Sequence, residues 1–107
     1  MANPQKTLLL VDDTKTIRML TRALLGPEYS YVEASDGGEG FYMARQNKPD
    51  LILMDLHMPS VDGIEGLRRL KADERTASIP VIMLTTETDF LKRSQCRALG
   101  CLRRTGR

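Results

Sequence analysis

The 107-residue sequence has no tryptophan, one histidine and two cysteines, and aromatic residues make up only 5% of it. Cys96 and Cys101 have no nearby ligand partners, so we expect free thiols in a reducing compartment rather than a zinc site or a redox pair. No apolar run approaches the roughly 20 residues of a membrane span. The first residues lack the basic and apolar regions of a signal peptide. These absences predict a cytoplasmic protein.

Acidic residues are missing from the C-terminal end of the chain. The net charge is +2 overall, but it is −4 over positions 1–91. A basic end can indicate nucleic-acid binding, yet no aromatic stacking platform or recognition-helix pattern accompanies this one. We therefore interpret it as a solvated tail and expect neither nucleic acid nor a membrane as a partner. The six basic residues of positions 92–107 are Lys92, Arg93, Arg97, Arg103, Arg104 and Arg107.

Apolar runs alternate with helical patterns along the rest of the chain. The runs at 7–11, 31–34, 51–54 and 79–84 predict strands, and all but the second are apolar on both faces, as buried parallel strands are. A helical pattern follows each of them, the fourth at 89–99. This order predicts a single α/β domain over 1–107 with a doubly wound parallel sheet and helices on both faces. The helical patterns rest on Ile17, Leu20 and Leu24, on Phe41, Met43 and Ala44, and on Ile64, Leu67 and Leu70.

Oxygen-bearing side chains end three of the predicted strands. Asp12 and Asp13 follow the first strand, Asp55 ends the third and Thr85 ends the fourth. The ends of parallel strands share one edge of the sheet, where open α/β folds place their sites. Three carboxylates there repel one another and favour a cation, and oxygen ligands suit Mg²⁺. A carboxylate beside such a metal can form an aspartyl phosphate, and a threonine hydroxyl can donate to a phosphoryl oxygen.

Each of these residues also has a simpler interpretation. Asp12 or Asp13 alone is typical of a helix cap, Thr85 alone of a strand end, and Asp55 alone of a turn. The joint pattern is harder to explain in this way, because a Met-Pro pair and an Asp-Gly pair also follow Asp55 within the next eight residues. The combination favours a phosphoryl-accepting site.

Three motifs in order, LVDD at 10–13, MDLHMPSVDG at 54–63 and PVIMLTT at 80–86, carry a family resemblance. Over residues 6–100 the chain resembles a CheY-like receiver domain of two-component response regulators, which have a flavodoxin-like fold. The resemblance implies that Asp55 accepts a phosphoryl group from a histidine kinase. It implies Mg²⁺ bound directly by Asp13, Asp55 and the backbone carbonyl of His57, with Asp12 acting mainly through water. Thr85 would be the switch hydroxyl.

The resemblance also assigns modulating positions. His57 and Glu87 lie two residues beyond Asp55 and Thr85, where this family tunes the rate of dephosphorylation. A role of the His57 side chain as a phosphohistidine or metal ligand is the alternative to a backbone role. We expect self-catalysed phosphorylation and dephosphorylation rather than a turnover enzyme.

The tail departs from the family pattern. Receivers have a 2-1-3-4-5 sheet, an aromatic residue on the fifth strand and a lysine after it, whereas this chain has Arg104 and Arg107 near those positions. Residues 101–107 are too polar for a buried fifth strand and too short for a fifth helix. We therefore expect a 2-1-3-4 sheet, truncated after the fourth βα unit or altered by a shifted reading frame. Strand 81–84 would then be a bare apolar edge, which favours a homodimer or higher oligomer.

Two functions follow from these observations. The first is a phosphoacceptor receiver in two-component signal transduction, with a histidine kinase upstream and a downstream protein target. The alternative is a truncated, switching-deficient receiver that acts only as a protein-interaction or dimerisation module. A cofactor binder of the same architecture would need a Gly/Ser/Thr-rich phosphate cradle after the first strand, where this chain has two acids. A stand-alone phosphatase would need a separate general acid beside Asp55.

Overall fold

The computed structural model describes residues 5–55, 63–84 and 102–103. Within these ranges the predicted strands and helices are confirmed, with boundaries shifted by at most two residues. The predicted helix at 89–99 and both cysteines lie outside the described residues. The strands are β1 (Thr7–Val11), β2 (Ser30–Ala34), β3 (Leu51–Asp55), β4 (Val81–Leu84) and β5 (Leu102–Arg103), and the helices are α1 (Lys15–Leu25), α2 (Gly37–Asn47) and α3 (Gly63–Ala72).

All the strands pair in parallel, in the order β2-β1-β3-β4-β5. The predicted doubly wound sheet with the order 2-1-3-4 is therefore confirmed. In the register, Val11 of β1 lies beside Met54 of β3, and Asp55 lies beside Leu84 of β4. The carboxyl ends of β1, β3 and β4 consequently reach the same edge of the sheet.

The fifth strand corrects one expectation from the sequence. Ile82 and Met83 of β4 pair with Leu102 and Arg103, so β4 is not the bare edge that the polar tail suggested. The expectation relied on the side chains of the tail, whereas strand pairing uses backbone N–H and C=O groups that every residue except proline carries in full. As the edge strand of the sheet, β5 pairs with a neighbour on one side only. Its two residues are enough to add hydrogen-bonded pairs to β4.

Helices α2 and α3 cover one face of the sheet and enclose the main core. This core contains alternate residues of the strands, such as Leu9, Ile52 and Met83, and it is closed by the buried α3 residues Ile64, Leu67 and Leu70. The period of two in strands and the three-residue spacing in α3 bring these side chains to one layer. The helical pattern predicted for α3 is confirmed as a core-facing stripe.

Helix α1 lies on the opposite face, where Thr21 approaches Leu10 and Leu53. It ends at Leu25 because Gly26 takes a φ of 99°, a conformation that favours glycine. Its apolar stripe is exposed: Leu24 is 87% exposed, Leu20 55% and Ile17 43%. Among the described helices, none is long and apolar enough to cross a membrane.

Candidate functional site

The sheet register brings three carboxylates together at the carboxyl ends of β1 and β3. Asp12 and Asp13 follow Val11 directly, and Asp55 follows Met54, the residue paired with Val11. One side-chain oxygen from each of Asp12, Asp13 and Asp55 lies within 4.8 Å of the other two. Asp12 and Asp55 are half-buried, and Asp13 is exposed. The predicted acidic cluster is thus present in the structure.

The backbone of Asp12 is held on both sides. Its N–H donates to the carbonyl oxygen of Ala34 in β2 at 3.0 Å, and its own carbonyl oxygen accepts from Nη1 of Arg18. Its carboxylate accepts the N–H of Thr14 at 2.9 Å. The hydroxyl of Thr14, which stands at the N-cap position of α1, is 3.4 Å from the Asp13 carboxylate. Asp12 is therefore tied to β2 and to α1 at once.

The donor set of the cluster fits a small divalent cation. Two unit charges at 4.8 Å repel by about 3 kcal/mol at an effective dielectric constant near 20, so three ionised carboxylates at this spacing favour a positive charge between them. Carboxylate oxygens are hard ligands, and Mg²⁺ binds one or two of them and keeps several waters. The exposed side of Asp13 leaves room for those waters.

Three predicted site residues lie outside the described residues: Thr85, His57 and Glu87. Their roles as switch hydroxyl, backbone metal ligand and modulating positions stay predictions. The sequence neighbour of Thr85 on its N-terminal side, Leu84, pairs with Asp55. The strand that leads to Thr85 therefore ends beside the acidic cluster.

The sequence interpretation missed an ion-pair network next to the cluster. Glu33 of β2 accepts from Nε of Arg18 and from Nη1 of Arg22, both at 2.8 Å. The hydrogen bond from Arg18 lowers the pKa of Glu33 below its usual value, desolvation opposes this, and Arg22 adds to the lowering. A signal was present, since a charged residue among the hydrophobic residues Tyr31, Val32 and Ala34 of a short strand generally needs a partner.

Comparison with known proteins agrees with this architecture. The model of the response regulator receiver domain family matches residues 8–103. Protein PilH of Pseudomonas aeruginosa is 43% identical, over 77% of this chain and 71% of its own length. The phosphate regulon transcriptional regulatory protein PhoB of the same organism is 46% identical over 77% of this chain, which spans only 36% of PhoB. A crystal structure of the chemotaxis protein CheY4 of Vibrio cholerae superimposes with a TM-score of 0.82 at 30% identity, covering 94% of this chain and 84% of that one. The chain belongs to the receiver domain family of two-component response regulators.

Proposed function

We propose that the chain accepts a phosphoryl group on Asp55 from a histidine kinase, with Mg²⁺ held by Asp12, Asp13 and Asp55. The observation that carries the proposal is the meeting of the three carboxylates within 4.8 Å at one edge of the sheet. Family membership supports it, because receiver domains interact with histidine kinases and bind Mg²⁺ at their acidic site. The kinase partner, the metal and the acceptor residue are all part of the proposal for this chain.

Asp55 is the acceptor in this proposal because it alone of the three ends β3, in the middle of the sheet between β1 and β4. A carboxylate oxygen of Asp55 attacks the phosphorus of a phosphohistidine. The phosphorus–nitrogen bond breaks, and the leaving imidazole nitrogen takes up a proton. When bound, Mg²⁺ supplies positive charge that offsets the charge of the phosphoryl oxygens and the carboxylates. Asp12 and Asp13, which directly follow β1, would supply further oxygen ligands.

The test is intact-mass analysis after incubation with Mg²⁺ and acetyl phosphate. We expect one phosphoryl adduct on the wild-type chain and on Asp36→Asn, in which an acid outside the cluster is replaced by another good helix cap. We expect none on Asp55→Asn. Adducts of equal yield on wild type and Asp55→Asn would refute the assignment of the acceptor.

A second candidate is supported by the exposed stripe of α1. In this case the chain retains the fold but is switching-deficient, and it acts as a dimerisation or protein-interaction module. The exposed fractions of Ile17, Leu20 and Leu24 together correspond to nearly two fully exposed residues. At about 1.5–3 kcal/mol for each buried side chain, two stripes packed together contribute about 6–11 kcal/mol. This is comparable with the roughly 4–15 kcal/mol that association costs, so a weak, concentration-dependent homodimer is expected.

Light scattering coupled to size-exclusion chromatography tests this candidate. We expect the mean molar mass of the wild-type chain to rise with protein concentration. The mean molar mass of Leu24→Lys should stay at that of the monomer. Tyr42→Lys is the matched control, because Tyr42 is 58% exposed on α2, the helix that covers the other face of the sheet. A monomer at every concentration would rule out the dimer.

A further inference from the structure

One guanidinium group connects the acidic cluster to the neighbouring strand. Arg18, in α1, has a side chain only 14% exposed, and its Nε donates to Oε1 of Glu33 at 2.8 Å. Its Nη1 donates to the backbone carbonyl oxygen of Asp12. The planar, forked geometry of arginine allows both bonds at once. The side chain therefore bridges β2 and the residue that follows β1.

The carbonyl group of Asp12 belongs to the peptide unit that joins Asp12 to Asp13. This unit is planar, so fixing the carbonyl direction fixes the plane in which the backbone continues to Asp13. The N–H of Asp12 is already held by Ala34 at 3.0 Å. With Arg18 on the carbonyl, the peptide units on both sides of Asp12 are restrained. The two carboxylates that leave this backbone are restrained with them.

We propose that Arg18 is a positioning residue that orients the Asp12–Asp13 peptide so that both carboxylates face the metal site. The inference rests on the proposed function, because it gives the peptide geometry a role in holding Mg²⁺. Arg18 touches neither the metal nor a phosphoryl group in this scheme. It acts through a backbone carbonyl, and Glu33 holds the guanidinium in place for that contact.

The structure offers a matched control in Arg22. This arginine also donates to Glu33 at 2.8 Å, but its side chain is half exposed, and among the described residues its hydrogen bonds and ion pairs do not include the Asp12 backbone. Arg22→Ala therefore removes one ion pair to Glu33 and the contact of the Arg22 guanidinium with the Tyr31 ring, at 5.2 Å from its centroid, and leaves the Asp12 carbonyl bonded. Arg18→Ala removes both contacts of the bridge. Arg18→Lys retains a positive charge but has a single ammonium group in place of the fork.

The experiment combines urea unfolding, Mg²⁺ titration by calorimetry, and amide hydrogen exchange without metal. We expect Arg18→Ala to weaken Mg²⁺ binding by about tenfold, the lower end of what loss of a residue supporting metal ligands causes. Arg22→Ala should change the affinity by less than about twofold, and Arg18→Lys should fall between them. If Arg18→Ala does not fold, Arg18→Lys carries the comparison with Arg22→Ala. Equal affinities in the Arg18 and Arg22 variants would overturn the proposal, as would losses that only follow the stability of each variant.

Hydrogen exchange separates this proposal from the proposed function. If the wild-type chain binds no Mg²⁺ at millimolar concentration, the metal part of the proposed function is wrong, and exchange alone decides the role of Arg18. We expect the N–H groups of Asp12 and Thr14 to exchange at least several-fold faster in the Arg18 variants than in Arg22→Ala, while Leu9 in the middle of β1 is unchanged. Unchanged exchange at Asp12 and Thr14 would show that Arg18 does not position this backbone.

Discussion

Replacing Gly66 by alanine adds one methyl group at the contact between α2 and α3. A Cβ at this position would lie 2.9 Å from the Cα of Gly37 and 3.1 Å from its carbonyl oxygen. The best separation of two carbon atoms is about 3.5–4.0 Å. The neighbouring atoms belong to the backbone, so no side-chain rotation relieves the clash. The two helices must move apart by about half an ångström or more.

Two opposing effects set the size of the change. Alanine is favoured over glycine inside a helix by about 1 kcal/mol. Overpacking a close contact costs about 1–3 kcal/mol, and the upper half of that range applies because backbone faces backbone. We therefore expect Gly66→Ala to lower the free energy of unfolding by about 1–2 kcal/mol. At about 4–8 °C for each kcal/mol in a domain of this size, the melting temperature falls by about 5–15 °C.

Urea unfolding followed by far-UV circular dichroism measures this loss directly. Ala23→Gly is the control, since Ala23 is exposed on α1 and should lose only the propensity term of about 1 kcal/mol. A Gly66→Ala variant as stable as wild type, or more stable, would refute the close approach of α2 and α3. The sign of the change is decisive, because helix propensity alone predicts stabilisation.

Three further changes test other parts of the structure by the same unfolding assay. Thr76 is wholly buried, and its hydroxyl donates to the carbonyl of Leu70 at 2.6 Å. Thr76→Val should therefore lower the free energy of unfolding by about 1–3 kcal/mol, because it leaves that carbonyl unpaired. Thr76→Ser keeps the bond and should cost less. Arg18 lowers the pKa of Glu33 in the folded state, so Glu33→Gln should lower the free energy of unfolding by a constant amount above about pH 5. This difference from wild type should shrink as the pH falls through the folded pKa of Glu33. A difference that is independent of pH down to about 3 would contradict this. Asp36 accepts the N–H three residues on at the start of α2, so Asp36→Ala should cost about 1 kcal/mol and Asp36→Asn only a few tenths, whereas equal losses would exclude a capping role.

Much of the fold follows from local patterns in the sequence. The buried strand pattern at 7–11 and the pattern ending at Asp55 predict β1 and β3, and a parallel sheet then requires that their carboxyl ends share one edge. The acidic cluster is a consequence of this rule, because its three members stand where β1 and β3 end. The boundary of α1 was predictable too, because Gly26-Pro27 ends a helix for reasons that lie within the backbone itself.

The fifth strand and the Arg18 bridge were not predictable in this way. β5 is two residues long and polar in part, and it exists because the edge of β4 offers backbone groups to pair with. Arg18 and Glu33 are 15 positions apart, and the local sequence around either residue does not predict the other as its partner. Their contact depends on how α1 lies against β2, which is a property of the assembled layers.

The helices α1 and α3 show most clearly what the sequence determines and what it leaves to the tertiary structure. Both have apolar residues at helical spacing. The sequence alone determines that Ile17, Leu20 and Leu24 share a face of α1, and that Ile64, Leu67 and Leu70 form a stripe along α3. In the structure the α3 residues are buried and the α1 stripe is exposed. Periodicity fixes which side chains point the same way, since it depends only on the 3.6-residue turn. Whether another element covers that face depends on contacts between residues far apart in the chain, and only the tertiary structure decides it.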